Sequence, residues 1–228
     1  QVREVIAVDL PGHGRTPEEA DSGTFAGLAR SLDDWLGAEN LTNIDMVGSS
    51  LGARLVLEMA RRGQAGAVVA LDPGGFWQGW ERTFFKATIT PSVALVRALR
   101  PALSAITGNV AGRTALMAQL SARPWALDPA FVARELKSLA NTRTVNSLVK
   151  DLAKGARQEG PAKTAAPVVI GWGCKDRLCL PQQADRAIKA FPEATLHWFE
   201  RSGHFPMWDR PEETVRVILD ATSISDSK

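Results

Sequence analysis

Three residues in this 228-residue chain could together carry out nucleophilic attack on a carbonyl: Ser50, Asp176 and His204. A serine hydroxyl is a weak nucleophile until a neighbouring base takes its proton, and the base needs a third group to orient it. Ser50 is the apex of Gly48-Ser49-Ser50-Leu51-Gly52, a G-x-S-x-G run. Ser49, one residue short of that apex, reads as a bystander. His204 lies in Ser202-Gly203-His204-Phe205-Pro206, in a chain with only three histidines. Asp176 closes Gly173-Cys174-Lys175-Asp176 and would orient the imidazole and favour its charged form. Asp72, in Asp72-Pro73-Gly74-Gly75, is the alternative acid. Of the other histidines, His13 reads as a structural or pocket-edge residue, and His197, inside an apolar run, as a satisfied core residue.

These groups work together only if the fold brings them to one place. Ile44, Met46 and Val47 lead into the Ser50 turn, and a helical pattern carrying Leu55, Val56 and Met59 follows until Gly63. That order is strand, sharp turn, helix. Side chains at 48 or 52 should collide with the neighbouring strand and helix, and Ser50 should be strained. The new helix would aim its free N–H groups at the serine, with the Leu51 N–H as first donor to an oxyanion. Further apolar runs at Val2–Val8, Ala67–Leu71, Ala166–Trp172 and Ala194–Phe199 read as strands. Helical spacing places a helix from Phe25 to Leu36 behind the N-cap Thr24, another near Pro181, and one from Pro211 to Asp220. Strands alternating with helices give a mostly parallel sheet flanked by helices, an α/β class. Each of the three residues then follows a strand, and those strand ends share one sheet edge, where ligands bind.

Alternation stops over residues 76–160. Helical patterns fill that interval: Trp80–Lys86, Pro91–Ser104, Val110–Ser121, Pro129–Ala140 and Arg143–Gly155. Thr90-Pro91 and Asp128-Pro129 look like N-caps followed by proline at the first helical position. The chain accordingly divides into a first core part at 1–75, an all-helical insertion at 76–160 and a second core part at 161–228. Most of the insertion's aromatics (among them Trp77, Trp80, Phe85 and Trp125) read as its own core, with one or two left to line an apolar pocket.

The Ser50 turn with its flanking strand and helix resembles the α/β-hydrolase family, serine-nucleophile branch. So do the loop Asp9-Leu10-Pro11-Gly12-His13-Gly14-Arg15-Thr16, the chain order Ser, Asp, His, and the histidine loop followed by Pro211-Glu212-Glu213. The resemblance implies a catalytic triad of Ser50, Asp176 and His204, an oxyanion donor at Leu51, and a helical cap over the site. It implies a serine hydrolase, esterase-like, acting on an ester, thioester or lactone with an apolar acyl group through an acyl-enzyme. A carbon–carbon bond hydrolase of ring-cleavage dienoates is the alternative and would need a cap arginine facing the pocket; an inert fragment or binding protein is the third possibility. A serine at the elbow argues against the branches that form an ester on aspartate.

The resemblance also implies three strands before the Asp9-type loop, the third ending in a His-Gly loop that gives the second oxyanion donor. In the family's strand order that third strand lies between the strands at Val2–Val8 and Ile44–Val47. A chain that is a piece of a longer protein should leave those two about 9–10 Å apart, two strand spacings; a complete one should pair them. The reading favours a truncated record.

Composition narrows the partners. The 27 basic and 25 acidic residues are interspersed, for a net charge of +2, which gives no nucleic-acid footprint. Cys174 and Cys179 form no metal-binding spacing, and neither HExxH nor GxxxxGK[ST] occurs, so no metal or cofactor is expected. No run of ~18 apolar residues suggests a membrane span. A reduced, cytoplasmic protein acting on a small molecule is the simplest reading, with a frayed tail over Thr222–Lys228.

Overall fold

A computed structural model describes residues 3–223; of the tail expected to fray, 224–228 lie outside the described residues. Four parallel strands make one sheet in the order β1 (Ile44–Ser49), β2 (Ala65–Leu71), β3 (Val168–Gly173), β4 (Thr195–Phe199). Gly48 sits beside Ala70, Ala70 beside Ile170 and Ile170 beside Leu196. Every residue of β2 is buried, as a central strand covered on both faces requires. Its alternate side chains divide between two packing layers, because successive Cβ atoms point to opposite faces. Val68 and Ala70 pack against α1 (Phe25–Ala38), α2 (Leu51–Arg62) and α8 (Ala184–Ala190) through Leu28, Leu55, Leu57 and Ala187. Val69 and Leu71 pack with Phe199 against Ala221 and Ile218 of α10 (Pro211–Ala221).

Helix boundaries follow local chemistry. The Thr24 hydroxyl accepts from the Gly27 N–H at 3.0 Å and starts α1. Gly63 ends α2 in the left-handed region at φ 79°. Between β2 and β3 the described residues hold helices and no strand: α3 (Glu81–Ala98), α4 (Leu103–Gly108), α5 (Val110–Met117), α6 (Pro129–Asn141) and α7 (Val145–Lys154). Asp128 caps α6 through the Phe131 N–H at 2.7 Å. Pro91, by contrast, starts nothing. It lies inside α3, which runs unbroken through the start expected at Thr90-Pro91. The carbonyl that Pro91 leaves without a donor belongs to Ala87, which is exposed, so water can satisfy it.

The C-terminal end of the helical insertion is tied to α2 and to the start of the insertion. The guanidinium of the buried Arg54 donates to the Ala156 carbonyl at 2.7 Å and the Gln158 side chain at 3.3 Å, and lies 4.0 Å from the centre of the Phe25 ring. The Gln158 N–H donates back to the Gly75 carbonyl at 2.9 Å. Burial lowers the Arg54 pKa to about 10, so it keeps its charge at neutral pH.

The first apolar run departs from expectation. Residues 3–10 form no strand and do not pair with β1. Strand geometry is stabilised by ladder bonds and cross-strand packing, and this segment has neither: Val5 is 80% exposed and Ile6 56%. A groove of about 250 Å³ runs between it and β1, lined among others by Ile6, Val8, Leu10, Met46, Val47 and Gly52.

Candidate active site

Ser50 occupies the apex between β1 and α2 at φ 55°, ψ −112°, a conformation costly for any residue with a Cβ. Three backbone bonds hold it there: its N–H donates to Leu71 O at 2.9 Å, and its carbonyl accepts from Arg54 at 3.1 Å and Gly74 at 3.4 Å. Gly48 permits the turn, since a Cβ at that position would stand 2.2 Å from the Gly52 carbonyl oxygen. Gly52 does not have the steric role expected of it: a Cβ there would meet nothing within 4 Å, because it faces the groove beside β1. Gly48→Ala should therefore destabilise the chain by about 1–3 kcal/mol, as overpacking does. Gly52→Ala in the same 228-residue chain should be neutral or stabilising by up to about 1 kcal/mol, from helix propensity. Urea midpoints of the two variants, measured side by side, test this; equal midpoints would contradict the assignment of the tight contact to Gly48.

Asp176 and His204 arrive on the next strand ends. The loop after β3 and the loop after β4 are joined by Cys174 N–H to Phe199 O at 3.0 Å and Lys175 N–H to Ser202 O at 2.9 Å. They approach so closely that a Cβ on Gly173 would stand 2.0 Å from the Gly203 carbonyl oxygen. The first Asp176 carboxylate oxygen accepts from the Leu178 and Cys179 N–H groups at 2.7 and 3.0 Å. The second faces His204 Nδ1 at 2.8 Å, and His204 Nε2 faces the Ser50 hydroxyl at 2.8 Å. A carboxylate can only accept, so Nδ1 carries the ring proton and Nε2 of the neutral ring accepts from the Ser50 O–H. His204 is wholly buried and Asp176 3% exposed, so water scarcely screens the pair.

Asp72, the alternative acid, ends β2 one strand over and does not bond to His204. Its Oδ1 accepts from the Gly173 N–H at 2.8 Å. His13 Nδ1 lies 3.1 Å from the Pro11 carbonyl within its own loop. His197 is satisfied as expected but is not a core residue. It sits half-buried on the edge strand β4, with Nε2 3.2 Å from Glu213. The Ser49 hydroxyl is buried without a partner among the described residues. The Leu51 N–H opens α2 and is one of the first-turn donors that intrahelical bonding leaves free.

Asp209 plays a part the sequence reading did not anticipate. Buried in the short helix α9 (Pro206–Asp209), it accepts from the Gly203 N–H at 2.7 Å, the Ala122 N–H at 2.8 Å and the Ser121 hydroxyl at 2.5 Å. One carboxylate thereby fastens the helical insertion to the loop that carries His204. Its only sequence signal is an acid shortly after a Pro at a helix start, which occurs at many positions without such a role. Beside Leu51 the insertion is apolar: its Trp77, Phe85, Val149 and Leu152 cluster with Leu178 from the loop after β3, and Leu51 packs against them.

Asp176, Cys179 and His204 place three potential ligand atoms within 4.8 Å of one another. Their donors are already committed or unavailable. Asp176 and His204 are bonded to each other, and burial first, then the negative charge of Asp176, push the Cys179 thiol well above its ordinary pKa. A thiol that resists ionisation is a poor metal ligand.

The sequence profile of the alpha/beta hydrolase family matches residues 2–217. The chain belongs to that family. Among its relatives, an uncharacterized protein of Mycobacterium tuberculosis is 27% identical over 231 residues, covering 94% of this chain and 66% of its own length. A 2-hydroxy-6-oxononadienedioate/2-hydroxy-6-oxononatrienedioate hydrolase of Dechloromonas aromatica is 25% identical over 226 residues, covering 95% of this chain and 75% of the relative. The chain thus spans about two thirds to three quarters of these relatives. An esterase of Exiguobacterium antarcticum shares the fold with a TM-score of 0.70 at 18% identity, over 93% of this chain and 78% of that one. No helix among the described residues is long and apolar enough to cross a membrane.

Proposed function

We propose that this alpha/beta hydrolase is a serine hydrolase that cleaves an ester, thioester or lactone by way of an acyl-enzyme on Ser50. The observation that carries the reading is the placement of His204 between Ser50 and Asp176, with 2.8 Å on either side. As Ser50 Oγ attacks the carbonyl carbon, its proton passes to His204 Nε2, and the imidazolium so formed is stabilised by Asp176. The carbonyl oxygen, now an anion, accepts from the Leu51 N–H. His204 then protonates the leaving alcohol or thiol, the tetrahedral carbon collapses, and water repeats the sequence to free the acid. The apolar cluster beside Leu51 supports an apolar acyl group. On this reading residues 76–160 are a cap over a core made of 1–75 and 161–228. Two free cysteines, one of them exposed, support a reducing, cytoplasmic setting.

The name of the Dechloromonas relative favours a second reading, hydrolysis of a carbon–carbon bond in a ring-cleavage dienoate. That chemistry would call for a cap arginine free to meet a substrate carboxylate. Two of the cap arginines are spent elsewhere: Arg97 donates to the Thr142 carbonyl, and Arg113 to those of Thr107 and Trp125. The ester reading is preferred because the side chains clustered beside Leu51 are apolar and include no arginine. A fluorophosphonate probe applied to the protein as its gene encodes it should label Ser50, located by peptide mass, and the protein should turn over aryl esters. Turnover of a dienoate without aryl esters would move the assignment to the second reading. A folded protein that takes no label would be a binding protein.

A further inference from the structure

Behind the Asp176–His204 pair sits a second carboxyl group that the acyl-transfer steps do not use. Asp72 is wholly buried at the end of β2, with its backbone in the left-handed region at φ 47°. One oxygen accepts from the Gly173 N–H; the other, Oδ2, is buried and receives no N–H or O–H donor from the described residues. The groups facing it are Asp176, which lies within hydrogen-bonding reach, Asp209 further off, and the uncharged thiol of Cys179. None is a cation. Two carboxylates so placed, away from water, cannot both stay ionised; one must keep a proton.

The bonding pattern decides which one. Asp176 already collects two backbone N–H groups and the His204 ring N–H, three donors that favour an anion. Asp72 has one donor and an orphaned oxygen. We propose that Asp72 is a neutral carboxylic acid in the folded protein, that its O–H donates from Oδ2 to Asp176, and that it is thereby a positioning residue for the triad. The proton turns an unsatisfied acceptor into a donor and supplies a fourth hydrogen bond to the Asp176 anion. Burial first, and the Asp176 charge second, hold the Asp72 pKa well above the ordinary aspartate value, which agrees with this arrangement. The catalytic part of the proposal rests on the acyl-transfer reading above; the location of the proton does not.

Asparagine is the isostere of the proposed state, with its carbonyl toward Gly173 and its NH₂ toward Asp176. Asp72→Asn should therefore fold and keep kcat/KM within about threefold, with the pH profile unchanged. Asp72→Ala leaves Asp176 one donor short and should lose about tenfold or more, the usual effect of removing a hydrogen bond to a buried charge. The folded chain holds a proton on Asp72 that the unfolded chain releases near pH ~4. Stability from this site is thus complete below that pH and declines as pH rises toward the folded pKa. Asp72→Asn removes the decline, so its Tm advantage over wild type should grow from pH 4 to pH 8. Infrared difference spectra at neutral pH should show the C=O stretch of a protonated carboxylic acid in wild type and not in Asp72→Asn.

Loss of that band from the wild-type spectrum, a Tm difference that does not vary with pH, or an unfolded Asp72→Asn would each overturn the proposal. If wild type turned over no ester while the band and the Tm trend appeared, the proton assignment would stand and the hydrolase reading would fall. The reverse pattern would separate them the other way.

Discussion

Ser50→Ala is expected to lower kcat/KM for aryl-ester hydrolysis by about 10⁴-fold or more, leaving residual turnover from binding and oxyanion contacts alone. The hydroxyl is the only atom removed, and it is the atom that His204 Nε2 meets at 2.8 Å. Ser50→Gly should be equally inactive and yet more stable than wild type. Glycine accepts φ 55° without the cost that a Cβ incurs, and relief of such strain contributes about 1 kcal/mol after the glycine's own entropic cost is set against it. Inactive and stabilised is a combination that a serine serving only as a turn residue would not give. Rates of wild type, Ser50→Ala and Ser50→Gly on one aryl ester, with thermal melts of all three, check both halves. Equal rates in wild type and Ser50→Ala would end the acyl-enzyme mechanism.

The Ser50 turn was readable in the chain because its requirements are local. An apolar run, a glycine where a Cβ would strike the next helix, and a helical pattern lie within 16 residues of one another, Ile44–Met59. The fully buried strand β2 was legible for the same reason, from continuous apolarity bounded by turn residues. What the chain could not announce depends on partners distant in sequence. Residues 3–10 have a strand's composition, but composition supplies no ladder bonds, and nothing among the described residues pairs with them or with the outer edge of β1. Pro91 carries a helix-start signal, yet α3 passes through it because the freed Ala87 carbonyl is exposed to water. In one dimension Asp209 looks like an ordinary loop acid and Asp72 like a second candidate for the acid that orients His204. Only the approach of the loops after β2, β3 and β4 buries them and gives each its bonds.

Asp176→Asn is the second large effect expected, a loss of about 10⁴-fold in kcat with little change in the fold. The asparagine oxygen can still accept from Leu178 and Cys179, which leaves its NH₂ facing His204 Nδ1. Nδ1 must then accept, so the neutral ring carries its proton on Nε2 and offers a donor to Ser50 where a base is needed. Asp72 cannot take over: its Oδ1 is engaged by the Gly173 N–H, and it makes no bond to His204. The two buried aspartates should therefore respond oppositely to the same isosteric change. Asparagine at 72 reproduces a proton that is already there, whereas asparagine at 176 inverts the donor pattern of the histidine. Single-turnover acylation of the two variants by an aryl ester separates these roles, because both variants keep Ser50 and the Leu51 N–H intact. If Asp72→Asn were the inactive one and Asp176→Asn the active one, the acid of the triad would be Asp72.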